Sequence, residues 1–111
     1  MKENKQTGRV VLVTSPTGDT AEKLAEGMIS QRLAACVNIV PLVKSIYRWK
    51  GEINRDDEAL LVIKTSSGKV EELKKFISTN HPYEVAEFIV LTPEKVAENY
   101  LSWLLSETAD S

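Results

Sequence analysis

The chain has 111 residues, of which 42% are hydrophobic, and its 14 basic and 16 acidic side chains leave a net charge of −2. This size and apolar content suit one folded domain with a core, and the balanced charge excludes the basic surface typical of nucleic-acid binding. No apolar run approaches the roughly 20 residues of a membrane span, and a single cysteine, Cys36, excludes an internal disulfide. We therefore expect a cytosolic protein with a disordered leader at 1–8 and one domain at 9–111.

The spacing of apolar residues predicts the first two elements. Arg9–Ser15 is a Val-rich run typical of a strand that is buried on both faces. Asp19 and Glu22 have the spacing of a capping box, which predicts a helix over 20–33 with Asp19 as its N-cap. Apolar residues recur at helical spacing behind this box, so one face of the helix should be buried.

A long β-hairpin is predicted next. Cys36–Trp49 is dense in β-branched and aromatic residues, and Lys50-Gly51 suits a two-residue turn. The chain then returns through a clear strand at Ala59–Thr65. Because Pro41 has no N–H to donate, it must lie at a sheet edge or at a bulge.

The length of this hairpin predicts an assembly. Residues 36–49, fully extended, would reach about 45 Å, whereas a compact domain of this size is about 35 Å wide. The tip should therefore overhang the domain and expose Ile46, Tyr47, Trp49 and Ile53. Further copies of the chain would cover these side chains; folding back over its own sheet is the alternative.

A second helix and a fourth strand follow. Val70–Ile77 has helical apolar spacing, and Asn80 and Pro82 predict the end of that helix. Glu84–Leu91 is predicted as the fourth strand.

The last element is a third helix. Thr92 and Pro93 have the form of a helix start, and the helix is expected to fray after Ser106. The order β-α-β-β-α-β plus a terminal helix predicts an α+β, ferredoxin-like sandwich with a long central hairpin. Two helices should cover one face of an antiparallel sheet.

Two residues are candidate metal ligands, and each has a structural alternative. His81 is the only histidine and lies at a predicted helix end. Two explanations fit this position: a favourable interaction of the imidazole with the helix C-terminus, or one ligand of a metal site shared between subunits. Cys36 is explained as a small buried group or as a soft ligand for Cu(I). A charged pocket is a further hypothesis, since four polar side chains could converge: Glu58, Lys64, Glu84 and Glu87.

Three blocks resemble the signature blocks of the CutA family, in the same order and spacing: Leu33–Asn38, Ser45–Gly51 and His81–Glu84. Shorter matches at Glu58, Ile63–Thr65 and Tyr100–Leu104 extend the resemblance over residues 9–106. The resemblance implies a ferredoxin-like subunit, a tight homotrimer with strands paired across subunits, and tolerance to divalent metal ions, copper above all. It implies no established reaction.

The metal ligands of some CutA members are only partly present in this chain. Some bacterial members proposed to bind copper have a cysteine where this chain has Val13 and a second histidine where it has Asn80. Only His81 remains of that set, and one imidazole per chain cannot hold Cu(II) tightly.

The combined interpretation is a CutA-like homotrimer that serves the divalent-metal response by binding or scaffolding, without catalysis. No cofactor is obligatory, and copper or another divalent cation is the candidate ligand of His81 and Cys36. The candidate site is an intersubunit cleft, with walls and polar contacts from the following residues: Tyr47, Trp49, Tyr83, Glu58, Lys64, His81 and Glu84.

Two alternatives remain open. The first is a trimeric sensor of PII type, which would bind a small anionic ligand at the same cleft. The second is a small hydrolase of acylphosphatase type, although the loop at 16–19 lacks the arginine which that chemistry needs.

Overall fold

The computed structural model describes residues 6–110. The four strands are β1 (Gly8–Ser15), β2 (Cys36–Trp49), β3 (Glu52–Ser66) and β4 (Ile89–Leu91). The three α-helices are α1 (Asp19–Ser30), α2 (Val70–Asn80) and α3 (Glu98–Thr108), and one 3₁₀ turn at Ser67–Lys69 leads into α2. None of these helices is long and apolar enough to cross a membrane.

The strands form one antiparallel sheet in the order β2-β3-β1-β4. The long strand β3 is central, pairing with β1 from Gly8↔Ser66 to Ser15↔Ala59 and with β2 on its other side. This strand order, with βαββαβ connections, is the ferredoxin-like arrangement. The predicted α+β fold class is confirmed.

The core lies between one face of the sheet and helices α1 and α2. Val11, Leu61 and Ile63 alternate along β1 and β3 and are fully buried, because side chains two apart on a strand share a face. Leu24, Met28, Leu73 and Ile77 of the helices pack on them. We call this helix-covered part of the molecule the body.

Helices α1 and α2 pack closely at Gly27. A Cβ atom added there would lie 2.7 Å from Cζ of Phe76 on α2. The glycine in the middle of α1 is therefore explained by close packing, which outweighs its cost of about 1 kcal/mol in helix propensity.

The hairpin turn and Pro41 match their predictions. Lys50 and Gly51 both have positive φ, at 51° and 81°, as a two-residue turn of type I′ requires. Pro41 lies in the edge strand β2 and also at the register shift between Val40 and Val43, so it is at an edge and at a bulge.

The predicted overhang is present. The molecule measures 53 × 26 × 23 Å, and its radius of gyration of 15.0 Å exceeds the roughly 13 Å of a compact domain of this length. Residues 42–57, which we call the ribbon, leave large apolar side chains in solvent, with Ile46 63% and Ile53 65% exposed. The ribbon does not fold back over the sheet.

The start of α1 differs from the prediction. Gly18, with φ of 80°, occupies the N-cap position, and no side chain caps the helix, so Asp19 is the first helical residue and the capping box does not form. The helix ends at Ser30 rather than at 33. Arg32 follows with a positive φ of 60° and its guanidinium donates to the Glu107 carbonyl at 3.1 Å, which ties the end of α1 to α3.

The predicted strand Glu84–Leu91 is wrong in its first five residues, because β4 spans only Ile89–Leu91. β4 pairs with β1 only from Val10 to Leu12. Further along β1, the Thr14 carbonyl lies 2.7 Å from His81 Nε2, so a side chain takes the place that a longer β4 would have occupied.

The predicted start of the third helix at Thr92-Pro93 is also wrong. α3 begins at Glu98 with Ala97 as its N-cap, because residues 92–97 form an irregular segment that places Val96 against Gly8 of the sheet. The helix runs past Ser106 to Thr108, held by Arg32 and by an ion pair of 2.6 Å between Lys69 and Asp110.

The expected leader lies partly outside the described residues, which begin at residue 6. Thr7 exchanges two hydrogen bonds with Ser67, donating its N–H to the hydroxyl and accepting from the Ser67 N–H. Strand β1 begins at Gly8, inside the segment predicted as leader.

Candidate functional site

A cavity of about 540 Å³ opens where the ribbon joins the body, and we call it the cleft. One wall comes from β2 and β3 of the ribbon, and the other comes from the irregular segment at 83–87. Eleven residues line it: Thr14, Ser45, Tyr47, Trp49, Asp56, Glu58, Tyr83, Glu84, Val85, Ala86 and Glu87.

The strand register explains the wall on the ribbon. Ser45 pairs with Asp56, Tyr47 with Asn54, and Val43 with Glu58. Side chains two residues apart on a strand share a face, so Tyr47, Asp56 and Glu58 project to the same side. The Tyr47 hydroxyl donates a hydrogen bond to the Asp56 carboxylate.

His81 organises the second wall. Its Nδ1 accepts the Tyr83 backbone N–H at 3.1 Å, so Nε2 carries the proton and donates to the Thr14 carbonyl at 2.7 Å. The Tyr83 ring packs 4.7 Å from the imidazole, and its hydroxyl donates to Glu58 at 2.8 Å. With both ring nitrogens engaged, His81 acts here as a positioning residue for Tyr83.

The electrostatics of the cleft are dominated by carboxylates. Burial and the hydrogen bond to Glu58 raise the pKa of Tyr83, and the hydrogen bond to Asp56 raises that of Tyr47. Burial and the nearby negative charge of Glu58 also raise the pKa of Glu87. Each shift favours the neutral, protonated form of its group, because burial disfavours the charged form and the nearby carboxylates disfavour a further negative charge.

Of the seven predicted cleft residues, the structure brings five together in the cleft, leaves His81 in contact with Tyr83 but outside the lining, and excludes Lys64. Glu58 and Lys64 share a face of β3 but lie about 20 Å apart along the strand at roughly 3.3 Å per residue. Lys64 donates to the Asn38 side chain and lines a second cavity of about 340 Å³ with Arg9, Lys95 and Tyr100. We call this second cavity the basic cavity.

The two candidate metal ligands lie apart. Cys36 pairs with Lys64 across the sheet, whereas His81 contacts Thr14, which is paired with Leu60, about 13 Å further along the sheet. Within residues 6–110, no three His, Cys, Asp or Glu side chains are arranged to hold a metal ion. The described donors therefore do not fit a metal site within one chain.

Sequence reasoning missed Asp56, Ser45 and Thr14 as cleft residues. A signal for Asp56 was present, because it precedes Glu58 by two positions on one strand and so shares its face. Thr14 had no such signal, since its place at the cleft depends on the pairing of β1 with β3 at Leu60 and on the contact of its carbonyl with His81.

Comparison with known proteins gives the family. The chain matches the family of the CutA1 divalent ion tolerance protein over residues 9–107. It is 43% identical over 99 residues to the divalent-cation tolerance protein CutA of Thermus thermophilus, covering 89% of this chain and 96% of that protein. It is 46% identical over 92 residues to a CutA homolog of Xenopus laevis, covering 83% of this chain.

The fold agrees with solved structures of the same family. The crystal structure of CutA1 from Oryza sativa superposes with a TM-score of 0.90 at 41% identity, covering 95% of this chain and 96% of that one. That of the Thermus thermophilus protein superposes with a TM-score of 0.89 at 42% identity, covering 92% and 99%. The chain belongs to the CutA1 divalent ion tolerance family.

The chain is shorter than several of its relatives. It spans 61% of the length of the Xenopus laevis protein, 60% of a chloroplastic CutA of Arabidopsis thaliana and 52% of the CutA of Mus musculus.

Proposed function

We propose that this protein acts in divalent metal ion tolerance, with copper as the leading ion, as a cytosolic homotrimer that binds or scaffolds and does not catalyse. The observation that carries the proposal is the ribbon, which leaves large apolar side chains in solvent beyond the helix-covered body. Membership of the CutA1 family supplies the link to divalent ions.

Two exposed edges support an assembly of identical chains. β2 and β4 are the edge strands of the sheet, and no further strand within residues 6–110 pairs with their outer sides, which are therefore available to another chain. Leu42 on β2 is 58% exposed, all three residues of β4 are exposed, and Val85 beside them is 67% exposed. Neighbouring copies would cover these edges and the ribbon, as in closed homo-oligomers.

The described side chains favour binding or scaffolding over catalysis. Both nitrogens of His81 are engaged with the backbone, so the imidazole is not free to act as a general base. The Cys36 thiol lies at the other end of the sheet, out of reach of the imidazole. A divalent ion bound by His81 would have to displace the Thr14 carbonyl and recruit donors from neighbouring subunits.

Native mass spectrometry during a Cu²⁺ titration tests the assembly and the metal together. We expect a complex of three 12.4 kDa chains that takes up copper, and we expect less copper uptake by His81→Ala trimers. The double variant Ile46→Ser with Ile53→Ser should dissociate, whereas Arg55→Ser on the same ribbon should stay assembled. A compact 12.4 kDa particle at micromolar concentration would contradict the assembly, and a trimer without copper would contradict the metal role.

A sensor of a small anion is the second candidate function, and the basic cavity favours it. Arg9, Lys64 and Lys95 line this cavity, and none of the three has a salt bridge within residues 6–110. If a panel of phosphates and carboxylates raises the melting temperature, Lys64→Ala should abolish that shift, since bound ligand stabilises the folded state. An unchanged melting temperature with every anion rejects this function.

A further inference from the structure

The ribbon leaves the body at the base of its strand in β3. Strand β1 pairs with β3 only as far as Ser15↔Ala59, so from Glu58 onward β3 has β2 as its single neighbour within residues 6–110. Opposite this point, β2 has its register shift between Val40 and Val43. Two-stranded ribbons twist more than wider sheets, and a bulge bends its strand. Strand pairing alone therefore leaves the direction of the ribbon loosely determined.

Tyr83 contacts β3 at this same point. Its hydroxyl donates to the Glu58 carboxylate at 2.8 Å. Glu58 is only 7% exposed, and Tyr83 lies in a segment that belongs to neither strand of the ribbon. Hydrogen bonds to a carboxylate are stronger than those between neutral groups, and burial limits competition from water. The bond therefore ties the base of the ribbon to a second part of the chain.

His81 attaches Tyr83 to the body. The His81 backbone N–H donates to the Ile77 carbonyl of α2 at 2.9 Å, and its Nε2 donates to the Thr14 carbonyl of β1 at 2.7 Å. Its Nδ1 accepts the Tyr83 N–H at 3.1 Å, and the side chain is buried. A continuous series of hydrogen bonds therefore runs from α2 and β1 through His81 and Tyr83 to Glu58.

Tyr47 makes a similar bond without this connection. Its hydroxyl donates to the Asp56 carboxylate, and both residues belong to the ribbon. That bond can hold β2 to β3, but it cannot fix the ribbon against the body. Tyr47 is therefore the matched control for Tyr83, since the donor and acceptor types are the same and only the attachment differs.

We propose that Tyr83 is a brace that fixes the angle between the ribbon and the body by its bond to Glu58, with His81 as its positioning residue. Every contact used here lies within one chain, so the angle is set before any other copy binds. The inference deepens the proposed function, on which one consequence rests. A ribbon already held at one angle loses less conformational entropy when copies assemble.

Single-molecule FRET measures the angle. Dyes are attached at Glu26→Cys on α1 and Glu52→Cys at the ribbon tip, in a Cys36→Ser background, and both labelled positions are exposed. The chains are refolded from urea at picomolar concentration, where copies do not meet. We expect Tyr83→Phe to broaden the distance distribution at least about twofold, because the ribbon then keeps only its strand pairing. Tyr47→Phe should leave the width unchanged.

Equal widths for the two variants overturn the proposal. A chain that stays unfolded at picomolar concentration overturns it as well, because a brace within one chain requires that chain to fold alone.

A non-additivity test addresses His81. His81→Ala should broaden the distribution as much as Tyr83→Phe, and the double variant should be no broader than either single variant, because the two residues act in series. A merely structural role of His81 would add an effect of its own and contradict its role as positioning residue. If His81→Ala does not fold, the comparison of Tyr83→Phe with Tyr47→Phe still decides whether the brace exists.

Sedimentation velocity over a range of concentrations tests the consequence for assembly. Tyr83→Phe should weaken assembly by about tenfold, because ordering the ribbon then becomes a cost of association. Unchanged assembly together with a broadened ribbon contradicts this consequence. An unaltered protein that never assembles contradicts the proposed function alone, because FRET on single chains tests the brace separately.

Discussion

The two halves of β3 differ in what covers them, although they form one continuous strand. Residues 58–66 lie under α1 and α2, and Ala59, Leu61 and Ile63 are fully buried. Residues 52–57 pair equally well with β2 but are exposed except for the half-buried Asn54. Backbone pairing is therefore enough to build the strand, whereas burial needs a second layer, which this chain supplies to one half only.

The body and the ribbon therefore contribute to the stability of the protein in different ways. The body buries its apolar side chains within one chain and should be stable independently of concentration. The ribbon leaves Ile46 and Ile53 in solvent, so its apolar surface stabilises the protein only when another molecule covers it.

The largest expected effect is in the body. Leu61→Ala should lower the free energy of unfolding by about 2–5 kcal/mol, because it leaves a cavity beneath the helices. Urea denaturation measures this loss, and Ile53→Ala on the same strand is the matched variant. We expect the Leu61 loss at every protein concentration and the Ile53 loss only where the assembly forms. Equal, concentration-independent losses would remove the distinction between the two halves.

The next largest effect on the free energy of unfolding is expected at the contact between α1 and α2. Gly27→Ala gains about 1 kcal/mol in helix propensity but places a methyl group 2.7 Å from Phe76 Cζ. We expect a net loss of about 1–2 kcal/mol by overpacking, measured by thermal unfolding. Adding Phe76→Leu should recover most of the loss, whereas Glu26→Ala on the exposed face of α1 should have little effect. A stabilised Gly27→Ala protein would contradict the packing explanation.

A smaller effect is expected where the body holds the end of α3. The hydrogen bond and charge of Lys69 lower the pKa of Asp110 below its usual 3.8. The folded state therefore favours the ionised carboxylate, so this contact stabilises the protein above pH 3.8 and is lost as the pH falls through the lower, folded-state value. Asp110→Asn should reduce stability at neutral pH and have no effect in strong acid, as measured by paired pH–stability curves. The same deficit at both pH values would show that the ion pair is not its cause.

The smallest effect is expected on the ribbon. Lys44 and Asp57 form an ion pair of 3.0 Å, but their side chains are 77% and 57% exposed. Solvent screens such a pair, so Lys44→Ala should change the free energy of unfolding by less than about 0.5 kcal/mol. A larger loss that disappears on dilution would place Lys44 in a subunit contact, which would sharpen the contrast with the body.

Much of the fold could be predicted from local pattern. The strand Cys36–Trp49 and the turn at Lys50-Gly51 lie where the sequence places them, because β-branched residues and a glycine with positive φ act over a few positions. Apart from the N-cap of α1, the errors described for β4 and α3 occur where distant segments meet. His81 contacts the Thr14 carbonyl of β1 where a longer β4 would have paired, and Val96 packs against Gly8 in an irregular segment ahead of α3.

The residues of the candidate site could likewise be predicted only in part. Tyr47, Trp49, Glu58, Tyr83 and Glu84 were predicted from the sequence and meet in the cleft. Lys64 was grouped with them as a polar residue on the same return strand as Glu58, but its distance along β3 places it in the basic cavity. Residue type and strand parity can be inferred locally, whereas the distance between two side chains depends on register.

By itself, the sequence determined the order of elements, the buried faces and a hairpin too long for its domain, since periodicity and chain length suffice for these. The tertiary structure alone decided that Lys64 lies apart from the acidic and aromatic side chains, in a second cavity with Arg9 and Lys95. The physical reason is that charge acts across space, and only the strand register and the position of His81 determine which charges face each other.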